Sequence, residues 1–381
     1  NGNIVKKIQP EQYDEKTDDG AGYAYEYDCV NRLVQVTAPD GVVVRRYVYD
    51  AHGNITKAID GEGYASADND GERIGTLYQY NAAGWLTEKR EPVKREEGRG
   101  LYRLTRYRYD LVGNMTKEIR YRDFQTAESA DGAMHVLSFA YDRDNRRIRV
   151  SDNTGASVQY QYNCKNQCIR EERKLSDTQV QTGIYEYDRA GRLIRQAVST
   201  RENSGRPEFA ATRYEYDRTG NCTRIRLPEG GEVLREYDAA DRLVSETHVD
   251  KKGGIHNCTK IGYDKAGNVT CITDNRGNQT RIEYDLLNRE TRVTEKDGGT
   301  TRQFYGLNGD LVKQVRPNQY DRGRDDGAGY LYAYDLQGRL RGITGPDGNT
   351  VQKNAYDRAG RLVRETDGAG SGIEYTYNLA G

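Results

Sequence analysis

Several features that a compact catalytic domain requires are scarce in this sequence. The 381 residues include 4 Phe, 1 Trp and 4 His, and no apolar stretch reaches the ~18 residues of a membrane-spanning helix. The mean hydropathy is −0.98. This polarity argues against a large buried core, which would use Phe and Leu more often, and a transmembrane helix is excluded within these residues.

A strong net charge is also lacking. Lys and Arg number 58 and Asp and Glu number 59, which gives a formal net charge of −1. One stretch, Arg103–Tyr109, alternates arginine with tyrosine, as a nucleic-acid surface can. Because the whole chain is balanced, we expect these arginines to lie on a solvated or cavity-facing side of a strand. We therefore expect no nucleic-acid partner and no membrane insertion.

Metal and catalytic motifs are missing too. None of the six cysteines belongs to a C-x-x-C pair, and His256 with Cys258 supplies too few ligands for a metal site. Neither G-x-S-x-G, H-E-x-x-H nor a phosphate-binding loop occurs. We expect no catalytic residue, no cofactor and no metal, and we interpret this stretch as non-enzymatic.

Tyrosine is the abundant aromatic residue, with 31 copies, and it marks a recurring pattern whose clearest example is Tyr187–Leu193 (YDRAGRL). Fifteen tyrosines, which we call the anchors, start such copies at spacings of 21 to 32 residues. A regular period of this kind is the signature of a repeat protein. The anchors are Tyr27, Tyr49, Tyr80, Tyr109, Tyr141, Tyr162, Tyr187, Tyr216, Tyr237, Tyr263, Tyr284, Tyr305, Tyr334, Tyr356 and Tyr377.

Each anchor begins a predicted hairpin turn, which we call the Tyr-Asp turn. The next residue is Asp or Asn in every copy except Gly306, and the fourth residue after the anchor is a type that tolerates left-handed backbone. A type I turn closed by a left-handed residue is a common hairpin connection. The left-handed position is filled by Gly53, Gly84, Gly113, Gly191, Gly220, Gly267, Gly309, Gly338, Gly360 and Gly381, and elsewhere by Asn31, Asn145, Asn166, Asp241 and Asn288.

A second turn, such as Asp40-Gly41, lies between most anchors, so each repeat is predicted to be two short antiparallel strands. Pairs such as Tyr185 and Tyr187 are spaced by two residues and share one face of a strand. Residues such as Leu193 begin the apolar face of the returning strand. We expect the tyrosine rings to pack there while their hydroxyls remain hydrated.

The Tyr-Asp-x-x-Gly-Arg-Leu copies, with Asp-Gly turns between them, resemble the YD repeats of Rhs proteins from Gly2 to Gly381. Related shells include bacterial Rhs polymorphic toxins, wall-associated proteins, the cocoon of insecticidal toxin complexes and animal teneurins. The resemblance implies an all-β fold in which antiparallel hairpins form a long curling ribbon, part of a hollow β-shell that often surrounds a toxic polypeptide. We expect one continuous array over residues 1–381, cut within a repeat at each end, without a separate toxin or core domain.

The expected function is that of a structural shell segment that helps to encapsulate a C-terminal toxin or effector for delivery. Its partners would be that cargo and the neighbouring repeats, and its location would be secreted or at the bacterial cell surface. In the resembling toxins an aspartyl self-cleavage site and a Pro-rich core motif follow the repeats, and neither occurs here. The alternatives are a cell-surface adhesion or glycan-binding module, in which tyrosine rings stack on sugars, and, least favoured, an autoproteolytic enzyme.

Insertions and sequons complete the pattern. Six polar insertions are expected to be surface or cavity-facing loops, namely Asp60–Gly75, Glu91–Leu101, Tyr121–His135, Lys174–Gln181, Ser199–Ala211 and Val315–Tyr330. Two segments resemble each other, Gln9–Tyr23 and Arg316–Tyr330, and we interpret their acidic pairs, like Asp68 and Asp70, as turns rather than cation sites. The N-x-T sequons are at Asn54, Asn114, Asn221, Asn257, Asn268 and Asn278. In four of them Asn replaces the Arg that follows the turn, so the repeat itself explains them without glycosylation.

Overall fold

The computed structural model describes residues 2–65, 73–96, 99–121, 133–176, 179–202 and 208–377. These residues form antiparallel strands and one short helix, α1 (Gly61–Ala65), so the all-β prediction is confirmed. Asp68, Asp70 and the turn at Gly381 lie outside the described residues. The strands are β1 (Lys6–Asp14), β2 (Asp19–Tyr27), β3 (Leu33–Thr37), β4 (Val43–Tyr49), β5 (Ile55–Asp60), β6 (Thr76–Tyr80), β7 (Leu86–Glu96), β8 (Arg99–Tyr109), β9 (Met115–Tyr121), β10 (Ala133–Tyr141), β11 (Arg147–Asp152), β12 (Ser157–Tyr162), β13 (Cys168–Lys174), β14 (Gln179–Tyr187), β15 (Leu193–Glu202), β16 (Ala210–Tyr216), β17 (Cys222–Arg226), β18 (Glu232–Tyr237), β19 (Leu243–Val249), β20 (Ile255–Tyr263), β21 (Val269–Thr273), β22 (Gln279–Tyr284), β23 (Glu290–Thr294), β24 (Thr300–Tyr305), β25 (Leu311–Val315), β26 (Tyr320–Asp321), β27 (Asp326–Gly327), β28 (Tyr330–Tyr334), β29 (Leu340–Thr344), β30 (Thr350–Tyr356), β31 (Leu362–Asp367) and β32 (Gly372–Glu374).

The chain packs as two units. Unit 1 comprises Asn1–Val136 and Arg302–Gly381, and unit 2 comprises Leu137–Thr301. Unit 2 is a meander in which consecutive strands pair antiparallel, as β14 does with β15 from Gln179↔Glu202 to Tyr187↔Leu193. The same pattern holds in unit 1, where β7 pairs with β8 and β8 with β9.

The Tyr-Asp turn has the predicted geometry. In the Tyr187 copy, Gly191 N donates to Asp188 O at 3.1 Å, Asp188 N donates to Arg192 O at 2.9 Å, and Gly191 has a φ of 89°. The register shifts by one residue so that Tyr187 pairs with Leu193, which makes Leu193 rather than Arg192 the first residue of the returning strand. This shift is a β-bulge, and a left-handed residue in the turn is the usual way to produce one.

The sheet has little enclosed core. Among the described residues the buried apolar side chains are Ala38, Ile59, Ile74, Leu104, Ile119, Ala197, Val233 and Val315. Strand β30 shows the general pattern, since its residues alternate between half-buried and exposed and its Val351 is 42% exposed. Both faces therefore carry solvated side chains, which suits a composition rich in Tyr and charged residues.

The expectation that insertions form loops is wrong for several of them. The Glu91–Leu101 insertion continues β7 and β8, which pair from Glu88↔Arg106 to Glu96↔Arg99 with an irregularity after Pro92. A proline lacks the N–H that a ladder needs, which accounts for the break at that point. Helix α1 lies within the Asp60–Gly75 insertion. In the Glu91–Leu101 insertion backbone pairing continues through polar sequence because an extended hairpin satisfies more N–H and C=O groups than an open loop.

Candidate functional site

The anchor tyrosines join successive repeats through their hydroxyl groups. Tyr216 Oη donates to Leu193 O at 2.7 Å, and Leu193 is the residue that pairs with the preceding anchor, Tyr187. Because a bulge disrupts the strand ladder locally, a carbonyl beside it is well placed to accept a side-chain donor. The same bond type runs from Tyr27 to Ile4, Tyr49 to Leu33, Tyr80 to Ile55, Tyr109 to Leu86, Tyr162 to Arg147, Tyr187 to Cys168, Tyr237 to Cys222, Tyr263 to Leu243, Tyr284 to Val269, Tyr334 to Leu311, Tyr356 to Leu340 and Tyr377 to Leu362.

We expected these hydroxyls to remain hydrated, and most of them in addition donate their proton to a backbone carbonyl of the protein. Burial raises the pKa of Tyr216, as it does for several other anchors. Such a neutral phenol is a good donor, and each bond contributes about 0.5–1.5 kcal/mol. Tyr305 departs from the rule, since its Oη donates to Gln303 Oε1 at 2.7 Å. Phenylalanine could fill the same space but could not make the bond.

Arginine at the fifth position after the anchor adds a second connection. Arg192 Nε donates to Asp188 Oδ2 at 2.7 Å within its own turn, and its Nη1 donates to Asp217 O in the next turn at 3.0 Å. The guanidinium also lies over the Tyr216 ring, 4.8 Å from the centroid. One planar cation thus holds its own turn, the next turn and the next anchor, which suits the fixed fork of arginine. Arg32, Arg242, Arg339 and Arg361 also bond to the Asp of their own turn and cover the next anchor.

Asparagine at the same position makes a shorter version of this connection. Asn221 Nδ2 donates to Asp217 Oδ2 at 3.1 Å and to Asp241 Oδ1, in the next turn, at 2.7 Å. Asn268 likewise reaches Asn288 Oδ1 at 2.8 Å. Asparagine can span to the next turn where its left-handed residue carries a side-chain oxygen. This use of the amide nitrogen supports the interpretation of the sequons as structural.

In several of the turns the opening aspartate is held as an anion. In Asp188 the backbone N–H of Arg192, followed by the Arg192 side chain, lowers the pKa of the carboxyl. Partial loss of water acts to raise the pKa of Asp217, but hydrogen bonds from Thr219, Asn221 and Gly220 lower it to about 2. Accepting several donors stabilises the charged form, so these turns are built around an ionised carboxylate.

Ion pairs neutralise several of the strand arginines. Glu88 has a side chain only 8% exposed and lies between Arg90, at 2.6 Å, and Arg106, at 2.8 Å. Burial acts to raise the pKa of Glu88, but the two arginines hold it below its usual range. Arg106 belongs to the Arg-Tyr stretch Arg103–Tyr109, so this arginine is paired within the protein and does not form a free basic surface.

The described residues offer no centre for metal binding. They contain no group of three His, Cys, Asp or Glu side chains that could hold an ion. Cys258 Sγ lies 3.4 Å from Thr247 Oγ1, and His256 lies 3.5 Å from Asp250. Burial raises the pKa of Cys168, which lowers its thiolate fraction and its nucleophilicity. None of the described helices is long and apolar enough to cross a bilayer.

Unit 1 contains a further kind of contact, in which an early hairpin meets Tyr-Asp turns from much later in the chain. Gln12 Nε2, on β1, donates to Leu336 O at 2.9 Å. Asn308 Nδ2 donates to Gln9 Oε1 at 2.9 Å, and Glu11 N donates to Asn308 Oδ1 at 3.3 Å. The tips of two late turns are thus bonded to one edge of the β1–β2 hairpin.

These contacts continue along the following repeats. Gln337 Nε2 donates to Asp40 Oδ2 at 3.0 Å, and Arg358 N donates to Glu62 Oε1 at 2.7 Å. The bonded residues are 296 to 324 positions apart in the sequence. We call this row of contacts, from Gln9 to Glu62 on one side and from Asn308 to Arg358 on the other, the seam. It joins the Tyr-Asp turns of late repeats to the opposite edge of early repeats.

The one exception in the turn sequence lies at the seam. Gly306 replaces the usual Asp or Asn, and a Cβ there would lie 2.5 Å from Glu11 Oε1. An aspartate would also bring a second negative charge against Glu11. Gly61 has a related role, since a Cβ there would overlap the carbonyl oxygen of Arg358. The sequence pattern had marked Gly306 as exceptional without indicating its partner.

Comparison with known families agrees with this geometry. Residues 3–204, more than half of the chain, match the teneurin YD-shell family. The chain belongs to that family. Within this YD-shell chain, residues 187–232, 216–252, 263–301 and 334–371 also match the RHS repeat, so the two matches together extend through both units.

Relatives of this YD-shell chain include bacterial toxins. Probable deoxyribonuclease RhsB of Dickeya dadantii is 26% identical over 371 residues, a match that covers 93% of this chain and 22% of RhsB. Double-stranded DNA deaminase toxin A of Burkholderia cenocepacia is 25% identical over 418 residues, which covers 94% of this chain and 27% of the toxin. The chain therefore spans about a quarter of the length of these relatives.

Solved structures show the same fold. The crystal structure of TcdB2-TccC3-TEV superimposes with a TM-score of 0.72 at 17% identity, over 91% of this chain and 18% of that chain. A Photorhabdus luminescens Tc holotoxin pore gives a TM-score of 0.71 at 17% identity, with the same coverage. At such identities the likeness concerns the YD-shell fold alone.

The connection made by Arg192 can be tested by exchange for the asparagine version. Arg192→Asn keeps a donor for Asp188 but loses Asp217 O and the Tyr216 ring, which we expect to cost about 1–2 kcal/mol of local stability. Adding Gly220→Asn places a side-chain oxygen in the next turn, as Asp241 does for Asn221. The asparagine introduced at position 192 can then donate to it, which should restore roughly half of the lost stability. Amide hydrogen exchange across both hairpins is the measurement.

The control for this pair is Arg189→Asn, which removes an exposed arginine from the same turn and should leave exchange unchanged. Equal protection in Arg192→Asn and in the wild type would show that the arginine does not couple the turns. The same conclusion would follow if Gly220→Asn raised protection equally with and without Arg192→Asn.

Acid should weaken the turns that depend on a carboxylate. The folded pKa of Asp217 is about 2, below the ordinary ~3.9, so its contribution is present above about pH 4 and is lost as pH falls towards 2. Asp217→Asn keeps the acceptor, as Asn163 does in its own turn, but cannot titrate. The stability gap between wild type and variant should therefore shrink over that interval in denaturant titrations followed by circular dichroism. A stability difference between wild type and Asp217→Asn that stays constant from pH 5 to pH 2 would contradict the role of the ionised Asp217 carboxylate.

Proposed function

We propose that this chain is a wall segment of a hollow YD shell that encloses a C-terminal toxin or effector polypeptide of its parent protein. The observation that carries the proposal is the seam. A free sheet edge exposes unpaired backbone groups and invites association with other chains, whereas the seam joins one side of the ribbon to the other across about 300 residues of sequence. Contacts of this kind close the side of the ribbon, as the wall of a container requires.

The surface chemistry supports containment rather than catalysis. Several strand arginines are paired with glutamates, as in Arg235–Glu246 at 2.8 Å and Arg292–Glu283 at 2.8 Å. With 58 Lys and Arg against 59 Asp and Glu, a wall of this kind offers a guest polypeptide no strong net charge. We infer that the segment is not an enzyme and that the activities named for its relatives belong to other parts of those proteins.

We further propose that residues 1–381 form one continuous array, with the anchors and the left-handed turn residues acting as structural positions throughout. Its partners would be the cargo and the neighbouring repeats. A location outside the producing bacterial cell, secreted or at its surface, is consistent with relatives that are toxins. The glycan-binding alternative receives less support, because the anchor rings that would stack on sugars lie under arginines such as Arg192 and donate their hydroxyls internally.

Containment can be tested by proteolysis of the parent protein. The intact shell should protect the C-terminal cargo from added proteinase K, while the same cargo expressed alone is digested. Gly191→Val together with Gly220→Val forces β-branched residues into backbone with φ of 89° and 109°, which strains both turns by about 1–2 kcal/mol or more each. These variants should expose the cargo.

The matched control is Gly191→Asn with Gly220→Asn, since asparagine already occupies this position at Asn166 with a φ of 63°. It should retain protection. Equal digestion of the cargo in the wild type and the valine variant, or a parent protein with no polypeptide after its repeats, would overturn the encapsulation proposal in favour of surface adhesion.

A further inference from the structure

One element of the seam occurs twice in the chain. The segment Gln9–Tyr23, which bonds to the late Tyr-Asp turns, resembles Arg316–Tyr330 in sequence. Both contain Pro, then Gln-Tyr, then Asp-Asp-Gly-Ala-Gly-Tyr at the same spacing. We call Gln9–Tyr23 the first hairpin and Arg316–Tyr330 the second hairpin.

The internal geometry of the two hairpins is the same. Tyr13 Oη donates to Asp18 Oδ1, and Tyr320 Oη donates to Asp325 Oδ1 at 2.7 Å. Both aspartates have left-handed backbone, with φ of 52° and 53°. The correspondence extends to the strand pairing, since the Tyr of each hairpin pairs with the Gly that follows its Asp-Asp sequence.

A lysine and a glycine fix each hairpin to its strand. Lys6 pairs with Asp19 in the first, and Lys313 Nζ lies 2.8 Å from Asp326 Oδ1 in the second. The glycine after each of these aspartates approaches the carbonyl of the hairpin glutamine so closely that a Cβ would overlap it. The two segments therefore present equivalent edges.

The residue that makes the docking bond is also equivalent. Gln12 donates through Nε2 to Leu336 O, while its Oε1 is buried. Gln319 occupies the same position of the second hairpin, and its Oε1 is buried too. Both glutamines are thus held by the hairpin at the same depth with one end of the amide enclosed.

Two residues next to the glutamine differ between the hairpins, and they indicate which kind of turn could bind to the second one. Asn318 stands where Glu11 stands in the first hairpin, and Arg316 replaces Gln9 and lies over the Tyr330 ring at 4.2 Å. The negative charge that lies beside Gly306 in the first contact is therefore absent from the second hairpin. An ordinary Tyr-Asp turn, with its acidic residue near Arg316, suits this edge.

We propose that Arg316–Tyr330 is a docking face for the Tyr-Asp turn of a further repeat, about 300 residues later in a longer parent chain, with Gln319 donating to a backbone carbonyl of that turn. The separation follows from the seam contacts. Relatives in which this chain covers only 22% and 27% of the length have room for such repeats. The proposal concerns how the wall continues and not what it encloses, so the proteolysis experiment and the following one can fail independently.

The test compares amide hydrogen exchange in the parent protein and in the 381-residue chain. Gln12→Glu, the positive control, removes the Nε2 donor and should speed exchange in the first hairpin about three- to tenfold in both proteins, as loss of one hydrogen bond does. Gln319→Glu should speed exchange in Arg316–Tyr330 by a similar factor in the parent protein and by a smaller factor in the 381-residue chain, where no bond to a further turn is lost but a negative charge is still brought to the buried end of the side chain. Without substitution, the second hairpin should exchange more slowly in the parent protein.

Three results would overturn the proposal. The second hairpin could exchange equally fast in both proteins, or Gln319→Glu could leave exchange in the parent protein unchanged while Gln12→Glu raises it. Protection of Arg316–Tyr330 in the 381-residue chain that grows with protein concentration would assign the face to a second copy of the chain instead.

Discussion

The structure depends on a hydrogen bond from a tyrosine hydroxyl to the backbone carbonyl of the preceding repeat. In the Tyr216–Leu193 example the acceptor is the first residue after a bulged turn. The bond fixes the side-to-side position of two hairpins that the strand ladder alone could allow to slip. It also explains why the anchor positions carry Tyr rather than Phe, which has no hydroxyl to donate. Each bond is worth only about 0.5–1.5 kcal/mol, but a repeat array adds such neighbour terms along its length.

The residue at the fifth position after the anchor makes a second connection between repeats, and this position can be arginine or asparagine while the anchor tyrosine stays the same. Arginine reaches the next turn through its backbone carbonyl, as Arg192 does with Asp217. Asparagine reaches it through a side-chain oxygen, as Asn221 does with Asp241. Arg146 uses both kinds of acceptor, since its Nη1 donates to Asn163 O and to Asn166 Oδ1 of the next turn. Glycine, asparagine and aspartate at the left-handed position of a turn share backbone conformation but differ in whether they offer an acceptor.

The sequence predicted the features that arise from local backbone chemistry. The all-β class and the hairpins could be anticipated because positions such as Gly191 must tolerate left-handed backbone and because Tyr185 and Tyr187 alternate with polar residues. The acceptor of the anchor hydroxyl could not be, since it depends on register between repeats. The extended pairing of β7 with β8 was missed because polar residues at Glu91–Leu101 suggested a loop.

The seam was outside the reach of sequence patterns because it joins residues about 300 positions apart. Gly306, the one anchor-following residue that is neither Asp nor Asn, was its only trace. An exception of this kind identifies a position where something else approaches, but the approaching group, Glu11, could be identified only from the structure. Repeat-breaking glycines are therefore the residues to inspect first in other shells.

The most direct test of the account is amide hydrogen exchange in Tyr216→Phe compared with Tyr214→Phe. Tyr214 lies on the same face of β16 but does not donate to Leu193. Tyr216→Phe should speed exchange by about two- to tenfold in the hairpins on either side of the Tyr216–Leu193 bond and change it little in more distant repeats. Tyr214→Phe should have little effect. Equal exchange in the two variants, or a loss of protection spread over the whole chain, would contradict the view that the hydroxyl joins neighbouring repeats.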